Sequence, residues 1–243
     1  MLQLDATYYQ MKPSLLPRGF KKSSELQSID IRKRLGLSAT IACPARKVAA
    51  LYGVTVTPVQ TLCSLVEDTL SDLFPDTYIT TQCISRLTES DGGFSAIVAI
   101  VGQYKMILYN SHHSPARQES DIMHELAHII CKHPGDCLQL NSDIGLRQFH
   151  TQHEEEAKWL GATLQIPDQG LFTLALQGLS NEEIAEIYGS SLEMVVFRRR
   201  TLGIDVRISR RNKFVRDMFN EVCHFLNSGV TSDALPEHNR ELL

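Results

Sequence analysis

The stretch RQESDIMHELAHIICKH, residues 117–133, contains the pattern His-Glu-x-x-His. The three defined positions are His124, Glu125 and His128. Residues four apart lie on the same face of a helix, one turn apart, so the two imidazoles can bind one metal ion. The carboxylate of Glu125 lies further round the helix, where it can act as a base toward water. Two histidines with an adjacent carboxylate base are typical of zinc peptidases.

The same stretch is predicted to be helical. Pro115 suits a helix start, and Pro134 with the glycine after it suits the end. Four apolar residues recur at helical spacing on the side away from the histidines: Ile122, Leu126, Ile129 and Ile130. One face is therefore expected to pack in the core, while the other carries the two histidines and Asp121.

A third protein ligand is expected because structural and catalytic zinc sites use at least three. The metzincin continuation requires a glycine and a histidine where this chain has Cys131 and Pro134, which excludes that class. A later predicted helix, residues 153–167, begins with three glutamates. Glu154 is in phase with the apolar stripe of that helix and is the predicted third ligand, while Glu155 and Glu156 are expected to face solvent. In the alternative interpretation, all three form a solvated first helical turn.

These motifs together resemble the ImmA/IrrE family of bacterial and phage metallo-endopeptidases. Four residues of EEEAKWLGATLQIP match the second motif of that family: Glu154, Ala157, Leu164 and Pro167. The resemblance extends over most of residues 30–205 and includes the stretches 35–62, 94–118 and 184–204.

The resemblance implies both a site and a substrate. It makes His124, His128 and Glu154 the ligands of one zinc ion per chain, with manganese as the alternative metal. It makes Glu125 the general base. The implied substrate is a protein, a helix-turn-helix transcriptional repressor that is cut under a stress or induction signal.

One position departs from the family pattern. Lys158 stands where the family usually has Asn or Asp, a residue that accepts a hydrogen bond from a ligand histidine in the thermolysin-like scheme. An ammonium group cannot accept a hydrogen bond. Two placements are open for Lys158, either paired with Glu154 or pointing outward, and Asp121 is a candidate for the missing acceptor.

Composition limits the remaining possibilities. A chain of 243 residues with 43% hydrophobic residues can bury a sizeable core in one large or two small domains. The net charge of -4 argues against a generally basic nucleic-acid-binding surface. The N-terminus lacks a signal-peptide pattern, and the longest apolar run, around 94–101, is too short to span a membrane. A cytoplasmic protein with six reduced cysteines is predicted.

The predicted fold class is α+β, a mainly helical, zincin-like core with a small antiparallel sheet beside the metal helix. Its two strands, Ser95–Val101 and Tyr104–Tyr109, are joined by a two-residue turn. An exposed strand there could hold an extended substrate, and the alternative is that the strands only build the core. Four segments are predicted: an N-terminal arm (1–28), the peptidase core (29–172), a C-terminal helix-turn-helix-like segment (173–226) and a polar tail (227–243). Further helices are predicted at 29–37, 44–53, 62–74 and 214–226.

The C-terminal segment has its own pattern. Ser180 with Glu183, and Ser190 with Glu193, predict capping boxes on two helices around a turn at Gly189. A basic run, Arg198–Arg200, lies on the second helix. It indicates either a DNA- or partner-binding face or, as the favoured interpretation, a structural helix pair with a solvated basic side.

Two functional questions stay open at this stage. Four histidines near the metal helix are candidates for stabilising the oxyanion of the transition state: His112, His113, His150 and His153. The rival to a peptidase is a non-catalytic regulatory protein on the same scaffold, which would hold a partner or DNA, for example as half of a toxin–antitoxin pair.

Overall fold

The computed structural model describes residues 15–61, 94–101, 104–133 and 150–227. The chain divides into two compact units after Arg198, and each is described by itself. The predicted α+β class is confirmed, since the described part of the chain is mainly helical and contains one three-stranded sheet. The predicted helix at 62–74 and the turn between the two predicted strands lie outside the described residues.

The first unit contains the elements that build the site. Its helices and strands are α1 (Phe20–Arg34), α2 (Ala45–Leu51), β1 (Val54–Pro58), β2 (Ala96–Val101), β3 (Tyr104–Tyr109), α3 (Pro115–Cys131), α4 (Thr151–Gln165), α5 (Asp168–Leu176), α6 (Asn181–Tyr188) and most of α7 (Leu192–Thr201). The second unit contains α8 (Ile204–Asn227). None of the described helices combines the length and apolar character that crossing a bilayer requires.

The sheet has the order β1-β3-β2. The two predicted strands pair antiparallel, with Val98 opposite Ile107. The sheet as a whole is mixed rather than antiparallel, because β1 pairs parallel to β3 on its other side. Helix α3 contacts β2 and β3, so the sheet lies beside the metal helix as predicted.

Helices α3 and α4 pack against each other and form the centre of the core. Three large side chains of α3 are fully buried: Ile122, Met123 and Leu126. Ala157, Leu160 and Leu164 of α4 are likewise fully buried. Burial of each large aliphatic side chain stabilises the fold by about 1.5–3 kcal/mol. The predicted helical stripe is thus confirmed, although Ile129 and Ile130 lie at the edge of this core rather than inside it.

Helix α1 packs against α4 and hydrogen-bonds to its C-terminal end. It begins at Phe20, nine residues before the predicted helix start, inside the segment assigned to the N-terminal arm. Arg32 is only 3% exposed and donates hydrogen bonds to four carbonyls, those of Ser38, Ile41, Leu164 and Gln165. The last carbonyls of a helix have no partner within the helix, and a guanidinium supplies several donors to satisfy them.

The helix pair α6–α7 begins with the predicted capping box. The Ser180 hydroxyl accepts from the Glu183 amide while the Glu183 carboxylate accepts from the Ser180 amide. The second predicted cap was placed one residue early, because Ser191 rather than Ser190 accepts from the Met194 amide. Arg198 points into the first unit and is fully buried. It donates to the Ile166 carbonyl and the Glu25 carboxylate, so this member of the basic run is structural.

In the second unit, α8 begins ten residues before the predicted start at Phe214. Arg199 donates to the Asp205 carboxylate near the beginning of this helix. Several apolar side chains of α8 are exposed, including Phe214 and Phe219.

Candidate metal centre

Helix α3 presents His124 and His128 on one side, one turn apart. Their Nε2 atoms lie 3.1 Å from each other. The third predicted ligand, Glu154 in the first turn of α4, faces both rings. Its Oε2 lies 3.2 Å from Nε2 of His124, and its Oε1 lies 3.5 Å from Nε2 of His128. The packing of α4 on α3 therefore brings together the three residues that the two motifs predicted.

The spacing of these donor atoms fits a tetrahedral metal ion. An ion bound at about 2.0–2.2 Å by nitrogen and oxygen holds its ligand atoms roughly 3.3 Å apart. Two unprotonated ring nitrogens at 3.1 Å repel each other unless a proton or a cation lies between them. Two imidazoles and one carboxylate form a donor set that suits zinc and leaves a fourth position open. The three side chains are partly exposed, so small molecules can reach them from solvent.

The electrostatic environment keeps the candidate ligand His124 in the form that can bind a metal ion. Burial lowers the pKa of His124, and the charge and hydrogen bond of Glu154 oppose this shift only in part. The imidazole is therefore neutral near pH 7, and its lone pair is available to a cation. Glu125, the predicted base, follows in the same helix and is 6% exposed.

The three consecutive glutamates have three different environments. Glu154 faces the histidines, whereas Glu155 pairs at the surface with Lys158 at 3.0 Å. The prediction that Glu156 faces solvent is wrong, because the residue is 9% exposed and its carboxylate contacts His133. The helix turns Glu156 by about 200° from Glu154, which places it on the side that packs against the end of α3. The three residues therefore do not form one solvated turn.

Lys158 takes the outward placement. Its ammonium pairs with Glu155 and its side chain is 62% exposed, so it does not contact the ligands as a hydrogen-bond partner. Asp121, the candidate acceptor for a ligand histidine, instead accepts from Nδ1 of His113 at 3.0 Å and lies 3.8 Å from Arg117. In the described residues, neither position therefore supplies the family's usual support of a ligand ring.

A second group of side chains lies directly beside the first. His133 Nδ1 lies 2.9 Å from Nδ1 of His128, and His133 Nε2 lies 2.9 Å from Oε2 of Glu156. Cys131 is close enough to join these two in a possible metal-binding group. Burial, with a smaller contribution from Glu156, raises the pKa of the Cys131 thiol to about 11. Burial alone would raise the pKa of Glu156, but hydrogen bonds from Gln152 and His133 outweigh it and the pKa is lowered.

The four histidines considered for oxyanion stabilisation occupy different places. His112 is exposed, while His113 is buried and bonded to Asp121. The Nε2 atom of His113 has no hydrogen-bond partner in the described part of the chain. His153 stacks between His133 and His150, with ring centroids 4.4 and 4.2 Å away.

The sequence interpretation did not identify the pair of His133 and Glu156. The sequence pattern places His133 at the end of a helix and predicts that Glu156 faces solvent. The available signal was the position of His133, five residues after His128 at the end of the helix. The left-handed conformation of Lys132 turns the chain so that the His133 ring lies near the His128 ring. No glycine marks that turn, so the sequence gives little warning of it.

The described residues bring together a candidate donor set of two histidines and one glutamate. Residues 83–200 match the family model described as Peptidase_M78, IrrE N-terminal-like domain. This match supports the predicted resemblance to the ImmA/IrrE family of metallopeptidases. The matched range contains all three candidate ligands and Glu125, and it does not include the upstream stretch at 35–62. No curated protein matches the chain.

Proposed function

We propose that the chain is a zinc-dependent endopeptidase that cleaves a helix-turn-helix transcriptional repressor in the cytoplasm and so relieves repression. The observation that carries this proposal is the convergence of three side chains: the Nε2 atoms of His124 and His128 lie 3.1 Å apart, and the two carboxylate oxygens of Glu154 lie 3.2 and 3.5 Å from them. The substrate class comes from the family resemblance. Manganese is the alternative metal.

The residues of the site divide the chemistry between them. A bound zinc ion supplies a Lewis acid that polarises the scissile carbonyl and acidifies water. Glu125 accepts the proton of the attacking water and later delivers it to the leaving amine. The two histidines and Glu154 hold their donor atoms in place throughout, because all three side chains extend from helices packed against each other. Glu125 is not a ligand, so its loss should leave metal binding intact.

The substrate would bind as an extended strand. In the described part of the sheet, β2 is an edge strand, with β3 on one side only. An edge strand offers unpaired backbone N–H and C=O groups to an extended peptide. Helix α3 contacts β2, which brings a peptide paired with that edge close to the metal helix. A helix-turn-helix repressor would supply such a segment from a linker between its domains.

The test compares zinc-loaded wild-type protein with Glu125→Gln and with the matched control Glu155→Gln, which changes a surface carboxylate in the neighbouring helix. Each protein is incubated with a panel of purified helix-turn-helix repressors. New N-termini are then identified by amine labelling and mass spectrometry. We expect one cleavage site with wild type and Glu155→Gln, and none with Glu125→Gln. If no variant cleaves any repressor, and Glu125→Gln still binds a partner or DNA as wild type does, the non-catalytic binding protein is favoured.

A further inference from the structure

We propose that His133 and Glu156 form a hydrogen-bonded relay that positions the ligand His128 and fixes the ring nitrogen it presents to the metal. The relay rests on the proposed metal centre and adds to it two residues that touch no metal. It runs from Nδ1 of His128 to Nδ1 of His133 at 2.9 Å, and from Nε2 of His133 to Oε2 of Glu156 at 2.9 Å. The His133 and Glu156 side chains are 7% and 11% exposed.

The proton count along this chain allows one arrangement that leaves His128 free to bind metal. A neutral imidazole carries one N–H, so a His128 ring that presents a bare Nε2 must carry its proton on Nδ1. That proton is donated to Nδ1 of His133, whose own proton must then lie on Nε2. There it is donated to the carboxylate of Glu156. Every link has one donor and one acceptor, and Gln152 donates to the other carboxylate oxygen at 2.7 Å.

The backbone turn at the end of α3 places His133 in this position. Lys132 has φ 56° and ψ 36°, the left-handed conformation, and it is the only described non-glycine residue with positive φ. The amide of His133 donates to the carbonyl of His128 at 3.1 Å, which folds the chain back by one turn. Residues other than glycine rarely adopt this conformation because their Cβ is crowded, so the rest of the fold must offset the strain. The result is a ring held directly against a ligand.

The relay also accounts for the departure at position 158. Lys158 cannot accept a hydrogen bond, and its side chain pairs with Glu155 at the surface. Ligand histidines in metal sites commonly donate their second N–H to a carboxylate or another acceptor. In this chain, Glu156 of the same helix α4 is that carboxylate, and His133 joins it to the metal site. The supporting carboxylate is thus Glu156, two positions before Lys158, and it supports His128 through His133.

The same geometry disfavours a second metal ion on Cys131, His133 and Glu156. These residues have ligand atoms close enough for such a site. Nε2 is the His133 nitrogen beside the Glu156 carboxylate, at 2.9 Å, so an ion shared with Glu156 would take the Nε2 lone pair and the His133 proton would lie on Nδ1. Nδ1 of His128 would then have to accept, leaving the His128 proton on Nε2 and blocking the first site. Occupation of the two sites is therefore mutually exclusive.

The experiment measures zinc affinity by competition with a chelator in wild type, His133→Phe, His133→Asn and the control His112→Phe. The Asn Oδ1 replaces the acceptor at the position of Nδ1, whereas Phe fills the space without one. We expect His133→Phe to weaken zinc binding by about 10–100-fold at one ion per chain. His133→Asn and His112→Phe should stay within roughly 3-fold of wild type, since the acceptor is retained or uninvolved.

Nitrogen-resolved NMR of the histidine rings supplies a second readout. The relay requires a proton on Nδ1 of His128 and on Nε2 of His133, in both metal-free and zinc-loaded protein. An unchanged affinity in His133→Phe, or the opposite ring protons, would overturn it. The relay would also be overturned if wild type bound two zinc ions per chain and Cys131→Ser bound only one. If wild type binds no more zinc than His124→Ala, the proposed metal centre is wrong. The NMR positions of the ring protons on His128 and His133 then test the relay by themselves.

Discussion

Gly161 of α4 lies against His124 of α3 so closely that an added Cβ would be 3.4 Å from the His124 Cα and 3.3 Å from the Met123 carbonyl oxygen. The absence of a side chain therefore sets the separation of the two helices at the metal site. Glu154 lies two turns earlier on the same helix, so this contact also sets the distance between Glu154 and the two rings.

Gly161→Val should push α4 away from α3. The loss in the free energy of zinc binding should exceed the loss in the free energy of unfolding. Overpacking a buried contact costs typically 1–3 kcal/mol, and a shift of a few tenths of an ångström lengthens all Glu154 contacts at once. Gly161→Ala should have a smaller effect of the same sign. Zinc affinity and thermal unfolding check this, with Glu155→Ala on the same helix as the control. Equal affinity in Gly161→Val and wild type would contradict the role of this contact.

Lys158→Ala should leave zinc affinity within about 2-fold of wild type. The Lys158 side chain is exposed and pairs with Glu155, a kind of surface ion pair worth at most about 0.5 kcal/mol. Chelator competition measures the affinity, and Glu154→Ala provides the reference for loss of a ligand. A 10-fold or larger change in Lys158→Ala would mean that Lys158 supports the site directly.

The sequence predicted which three candidate ligands converge because their geometry is local. One turn of helix joins His124 and His128, and the helical phase of one short stripe singles out Glu154. The sheet hairpin and the first capping box are predictable for the same reason. The environment of Glu156 was not predictable, because it depends on which face of α4 meets the end of α3. Likewise, the parallel pairing of β1 depends on contacts distant in sequence, and periodicity within one segment does not contain them.

Arg198→Met should lower the free energy of unfolding by about 3–5 kcal/mol, since it leaves Glu25 without its buried partner. Arg200→Met should change it by less than about 0.5 kcal/mol because Arg200 is exposed. Urea unfolding of the two variants checks the difference. If Arg198→Met is as stable as wild type but loses binding to DNA, the basic run is a nucleic-acid-binding face and the structural interpretation of Arg198 is wrong.

Cys131 should react slowly with iodoacetamide at neutral pH. Burial raises the pKa of this thiol from 9.0 to about 11, so at pH 8 the reactive thiolate should be about 100-fold scarcer than in the unfolded chain. The reaction rate should increase as the pH rises through about 11, because the Cys131 thiol is mainly neutral at any pH below its pKa. The measurement uses a variant in which Cys131 is the only cysteine, with the urea-unfolded protein as reference. Equal rates at pH 8 would show an accessible thiolate instead.

The most direct test of the metal centre is zinc content by mass spectrometry on wild type, Glu125→Gln, Glu155→Gln and Glu154→Ala, purified in parallel and exposed to the same zinc. We expect about one zinc ion per chain in the first three proteins, because neither Glu125 nor Glu155 is a ligand. Glu154→Ala should retain far less. A wild type that takes up no zinc, or a Glu154→Ala variant that keeps a full equivalent, would contradict the assignment of His124, His128 and Glu154 as the metal site.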